Sequence, residues 1–193
     1  VVQRRARYYL FVPWCYSRGR ARGTSGATCR AKGETQERQL IAALKAANVA
    51  ESGLIGKFAG ASVKALPSVI YWSGLRRFSI LTHDTDLSHL GMFDEVPDGA
   101  TELAERTIGD WDPGLPEPPE GFPREMPSGF TLSAEEARWL AGRIMVSTDG
   151  TALAYLLERG HEIPEDVAAP WDFIPPGDFE ELRHARLFSV VMH

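Results

Sequence analysis

The sequence predicts a mainly α-helical protein: an irregular helical bundle broken by a long proline-rich acidic connector, with a helix-turn-helix-like part in its N-terminal half. Three observations carry that prediction. Apolar residues recur at helical spacing in several segments, Ser/Asp-x-x-Glu capping boxes open two of them, and seven of the thirteen prolines gather in one acidic stretch. The division is into a basic helical subdomain over 1–93, the connector over 94–129, and a C-terminal helical subdomain over 130–193.

Tyr8 to Val12 is an unbroken apolar run between Arg7 and Pro13, read here as a buried helix with Arg4, Arg5 and Arg7 on its first turns. Pro13 should kink or end it. Residues 17–34 are rich in Gly, Ser, Thr and Arg and read as a mobile basic loop. From Thr35 the pattern turns helical, with Leu40, Ile41 and Leu44 on one stripe and Asn48 suited to the end. A second short element follows around "SGLIGKFAGASVKAL". Pro67 and Ser68 then open a helix with Tyr71, Trp72, Leu75 and Phe78 on its apolar face and Ser73, Arg76 and Arg77 opposite.

In residues 94–129, prolines and acids exclude continuous helix or central strand, so the stretch should be irregular, pinned by Trp111 and Phe122. The strings Trp111-Asp112 and Trp171-Asp172 read as loop anchors, the tryptophan docking and the aspartate capping a turn. Ser133 and Glu136 form a capping box that opens a helix with Ala137, Leu140 and Ile144 on a common face. "TALAYLLERG" is another helix, with Gly160 as a left-handed stop. Asp178 and Glu181 form the second capping box. The final helix is apolar on nearly every side by Val190, so Leu187, Phe188, Val190, Val191 and Met192 call for a covering partner or a missing chain segment.

The net charge of −5 hides a division. Residues 1–78 hold 14 Lys and Arg against 3 Glu, a net of +11, while residues 79–193 hold 7 Arg against 23 acids, a net of −16. Clustered positive charge attracts phosphate. The other reading is that the two halves neutralise each other. No run approaches the roughly 18 to 20 apolar residues of a membrane span, and no signal-peptide pattern opens the chain, so a cytoplasmic protein is expected. Cys15 and Cys29 match no zinc spacing and read as two reduced structural or surface thiols.

Motif chemistry is sparse. "RGTSGATC" lacks the lysine of a phosphate-binding loop, no Gly-x-Ser-x-Gly occurs, and "HEIPE" lacks a second histidine one turn on. His83, Asp84, Asp86 and His89 crowd into "HDTDLSH", and imidazole with carboxylate suits a divalent metal. The simpler reading of those residues is a capped helix start, and no metal or organic cofactor is expected.

The blocks "RARYYLFVPW", "LPSVIYWSGLRRFSI" and "HARLFSVVMH" resemble those of a bacterial family of unknown function, over residues 3–193. The resemblance implies that the chain is a fragment of a longer member. It also implies an accessory role in a bacterial system such as a mobile element or anti-phage defence, and it brings no catalytic residues. Both ends read as cut, the chain opening on Val1 and closing on an apolar run.

Together these readings point to a non-catalytic accessory protein that binds DNA or RNA. The residues expected to touch nucleic acid are Arg4, Arg5, Arg7, Arg18, Arg20, Arg22, Lys64, Ser73, Arg76 and Arg77. In the helix-turn-helix reading of Thr35 to Ile80, Ser73, Arg76 and Arg77 enter the major groove. The alternative is a scaffold or complex subunit that binds protein partners. The second alternative is a metal-dependent enzyme using His83, Asp84, Asp86 and His89.

Overall fold

Helix α1, Tyr8–Arg18, is the axis of the core. The computed structural model describes residues 3–18, 26–47, 53–83, 87, 110–164, 167, 169–173 and 179–192. All residues from Tyr8 to Tyr16 are buried, as a helix that is apolar on every side requires. Pro13 lies inside α1 and does not end it, so of the two expected effects termination is excluded. Burial on all sides outweighs the roughly 3 kcal/mol that an interior proline costs an isolated helix.

Helix α2 spans Gly26–Ala46, so the part of the expected loop from Gly26 onward is helical instead. The cause is tertiary. Cys29 and Gly33 are buried, the Cys29 thiol faces the Tyr16 carbonyl at 3.7 Å, and Arg30 pairs with Glu34 at 2.9 Å one turn on. Leu40, Ile41 and Leu44 are fully buried, as the stripe predicts. The short element expected near residues 52–66 is no full helix: residues 55–59 are turns, followed by a single 3₁₀ turn, Gly60–Ser62.

Helix α3, Pro67–Arg77, buries Tyr71, Trp72 and Leu75, and Phe78 is buried just beyond its end. Both α2 and α3 approach α1 through glycine. A Cβ on Gly33 would overlap the Tyr16 ring, and a Cβ on Gly74 would overlap Tyr9. Gly74→Ala should therefore lower the melting temperature, because overpacking costs about 1 to 3 kcal/mol while helix propensity returns at most about 1. A higher melting temperature would show that Tyr9 swings aside.

The chain divides into two compact units, Val1–Leu140 and Ala141–His193. Residues 110–129, the described part of the acidic stretch, contain no helix and belong to the first unit. Trp111 and Phe122 are buried there as expected: Trp111 packs edge-on against Trp72, and Phe122 meets Phe11 and Trp14. Asp112 caps its turn by accepting from Gly114 N at 2.8 Å. Trp14 Nε1 donates to the Pro116 carbonyl at 2.6 Å, and a short antiparallel pairing joins Leu81 to Trp111. Residues 94–109 of the stretch lie outside the described residues.

Helix α4, Ala134–Ser147, opens on the predicted capping box: Ser133 N donates to Glu136 Oε2 at 2.8 Å, and Glu136 N donates to Ser133 Oγ at 3.2 Å. Ala137 is exposed, and the buried positions are Glu136, Leu140 and Ile144. In the second unit, α5, Ala152–Arg159, is capped by Thr151. Gly160 is right-handed, with φ of −55°, and leads into a 3₁₀ turn rather than stopping the helix in the left-handed region. Asp172 sits in the one-turn helix α6, Pro170–Phe173, and α7 spans Glu180–Met192. The Tyr155 ring meets Phe173 and Phe179. Leu187 is 59 % exposed, while Asp178 and the side chains of Phe188 and Val190 to Met192 lie outside the described residues. No helix among the described residues is long and apolar enough to cross a membrane.

Candidate nucleic-acid interface

The exposed face of α3 follows from helical geometry. With Tyr71, Trp72 and Leu75 turned into the core, Val69, Ser73, Arg76 and Arg77 fall on the outer side, and all four are exposed. Arg76 and Arg77 occupy the last turn, where positive charge also complements the helix dipole. Lys64 is exposed just ahead of the helix.

The N-terminal segment is tied to the same helix. Gln3 Nε2 donates to the Ile70 carbonyl at 2.8 Å, Tyr9 OH donates to Gln3 Oε1, and Arg5 N donates to Tyr71 OH at 3.0 Å. Arg4, between these anchors, is exposed beside the middle of α3, about 10 Å along the axis from Arg76 and Arg77 at 1.5 Å per residue. Of the predicted contacts, α3 itself carries Ser73, Arg76 and Arg77 on one exposed face, and Arg4 lies on the neighbouring N-terminal segment.

Other predicted contacts are placed elsewhere. Arg5 is half-buried with its guanidinium over the Phe130 ring at 5.2 Å. Arg7 is not on the surface, being only 3 % exposed. Its Nη2 donates to Glu136 Oε1 at 2.7 Å, and its Nη1 donates to Ser128 Oγ at 2.8 Å and to the Gly129 carbonyl at 2.7 Å. A guanidinium so enclosed cannot reach phosphate. The side chain of Arg18 and the whole of Arg20 and Arg22 lie outside the described residues. His83 is exposed, Asp84, Asp86 and His89 lie outside the described residues, and among those described no group of three His, Cys, Asp or Glu could hold a metal ion.

Sequence reasoning passed over a buried polar cluster at the start of α3. Glu37 of α2 accepts from Ser68 N at 2.7 Å through Oε1 and from Ser68 Oγ at 2.8 Å through Oε2, with Tyr16 OH 3.1 Å away. Glu37 and Ser68 are fully buried, and burial pushes the Glu37 carboxyl up to about 7 even though these hydrogen bonds lower it. Burial also pushes the Tyr16 hydroxyl and the Cys15 thiol up, and Glu37 adds to both. An acid with two hydroxyls resembles catalytic machinery, but these groups satisfy one another out of reach of substrate. The cluster is a clamp that caps α3 from across the core. Its one signal in the sequence is that position 37 shares the stripe of Leu40, Ile41 and Leu44.

Comparison with known proteins adds one match: the model of a family of unknown function, DUF6361, covers residues 1–193. No curated protein and no solved structure matches the chain.

Proposed function

Because the chain belongs to the family of unknown function DUF6361, we propose a role from its own geometry: it is a non-catalytic accessory protein that holds nucleic acid against the basic face of α3. The observation that supports this is the exposure of Ser73, Arg76 and Arg77 along one helix, with Arg4 anchored beside it, in a half of the chain with a net charge of +11. Lys64 extends the face toward the start of the helix, and phosphate contacts dominate such binding. The setting is the cytoplasm of a bacterium, in a mobile element or an anti-phage system.

A gel-shift series at low and moderate salt tests it. Each phosphate contact contributes about 0.9 to the slope of log affinity against log salt on a duplex, so Arg76→Ala with Arg77→Ala should weaken binding and flatten the slope by about two. Absence of any shift at low salt with duplex, single-strand and RNA probes would remove the proposal.

A second reading has its own support. Arg7 of the basic half pairs with Glu136 of the acidic half, so part of the charge asymmetry is spent internally, as a scaffold would have it. Under that reading the exposed arginines meet an acidic protein partner, and the same gel shifts fail.

A further inference from the structure

We propose that Phe58 is a base-stacking residue, and that the nucleic acid this protein takes presents at least one unpaired base. The inference rests on the nucleic-acid reading above and narrows its ligand class. Phe58 is 92 % exposed, the most of any large apolar side chain described, and the exposed one among them that is aromatic. Single exposed apolar residues are ordinary on protein surfaces. What distinguishes this one is the stiffness of its support.

The loop from Gly53 to Val63 is held at several points. Ile55 N donates to Tyr8 OH at 3.1 Å, Gly60 N donates to the Gly56 carbonyl at 2.7 Å, and Arg38 Nη1 reaches the Ala61 and Val63 carbonyls. Gly56 has φ of +80°, and its Cα lies so close to Ile41 and Gly60 that a side chain there would crowd both. The loop is thereby pinned to α1 and α2, and it presents the ring at little conformational cost on binding.

Charge identifies the occupant. Lys57 Nζ lies 5.3 Å from the centre of the Phe58 ring, on one face, and the exposure of the ring leaves the other face open. Lys64, the residue that follows the loop, is exposed. An aromatic face beside the Lys57 ammonium matches a base and its phosphate, which is how single strands are held without sequence preference. In an intact duplex the base faces are already stacked on their neighbours, and only edges and backbone are offered. The ring therefore has a partner in an unpaired strand and none in a perfect helix.

The test is fluorescence anisotropy with three labelled probes: a ten-residue oligothymidine, a ten-residue oligouridine and a blunt duplex. Phe58→Ala should weaken binding to the unpaired probes by about 5- to 150-fold and leave the duplex within twofold. Phe58→Trp should restore the unpaired binding and Phe58→Leu should not, because stacking needs a π face whereas a general apolar contact accepts leucine. The melting temperature should not change in any of these variants, since the ring buries almost nothing. The inference is overturned if Phe58→Ala binds both unpaired probes like the parent, if Phe58→Leu binds as well as phenylalanine, or if the duplex weakens equally. When those results appear while the Arg76 and Arg77 double variant still loses affinity, only the role of Phe58 falls; when the parent protein binds no probe, the nucleic-acid reading falls with it.

Discussion

Glu136→Ala should unfold with about 3 to 5 kcal/mol less free energy than the parent protein, the cost of stranding one partner of a buried ion pair. Arg7 and Glu136 are 3 % and 7 % exposed in their side chains and meet at 2.7 Å, so without the carboxylate the guanidinium keeps only the Ser128 hydroxyl and the Gly129 carbonyl. Glu136 also reaches back to Ser133 N, so the variant loses half of a helix cap as well. Ser133→Ala removes the other half of the cap, the Oγ that accepts from Glu136 N, leaves the ion pair in place and should cost about 1 kcal/mol. Replacing both charges, as Arg7→Met with Glu136→Met, should recover most of the loss, since a packed apolar pair carries no desolvation penalty. Urea unfolding of the four proteins checks this. A single variant at position 136 that costs no more than Ser133→Ala would mean that Arg7 finds water or another acceptor.

Glu37 carries the second large expectation, and its sign is unusual for a carboxylate. Its folded value of about 7 lies above the ordinary 4.5, so between those limits the folded protein holds a proton that the unfolded chain has released. The stabilising contribution is fully present below about pH 4.5 and is lost as pH rises through about 7. At 1.36 kcal/mol per unit, the difference across that window is about 3 kcal/mol. The groups named around it, Tyr16, Cys15 and Glu34, supply no positive charge to hold the anion, and Glu34 instead pairs outward with Arg30. Glu37→Gln keeps an acceptor for Ser68 N and cannot ionise, so its stability relative to the parent should rise by about 3 kcal/mol from pH 4.5 to pH 8. Urea midpoints of both proteins at half-unit steps of pH measure the gap. A gap that stays constant would refute the assignment, while Glu37→Ala should be destabilised by about 2 to 5 kcal/mol at pH 4.5 through its cavity and the orphaned Ser68 amide, a cost that shrinks by the same roughly 3 kcal/mol toward pH 8.

Local features were legible in the chain. The burial of Leu40, Ile41 and Leu44, the inner and outer faces of α3, and the cap formed by Ser133 and Glu136 all appear in the sequence, because periodicity and capping depend on residues at most four positions apart. The part of the candidate interface on α3 was readable for the same reason. Composition misled where packing overrides propensity: the Gly- and Thr-containing start of α2 is helical because Gly33 lets the Tyr16 ring close over it, and Pro13 is tolerated because α1 is enclosed on every side.

The stiff loop that presents Phe58 depends on Tyr8 and Arg38, which lie outside it in sequence, so the string "LIGKFAG" does not reveal it. By itself the sequence determined the helical class, the outward face of α3 and the concentration of positive charge in residues 1–78. Only the tertiary structure decided which charges remain at the surface. It sealed Arg7 against Glu136, 129 positions away, and Glu37 against Ser68, 31 positions away. A buried charge is tolerated only where the fold supplies its partner, and chain distance carries no information about that partner.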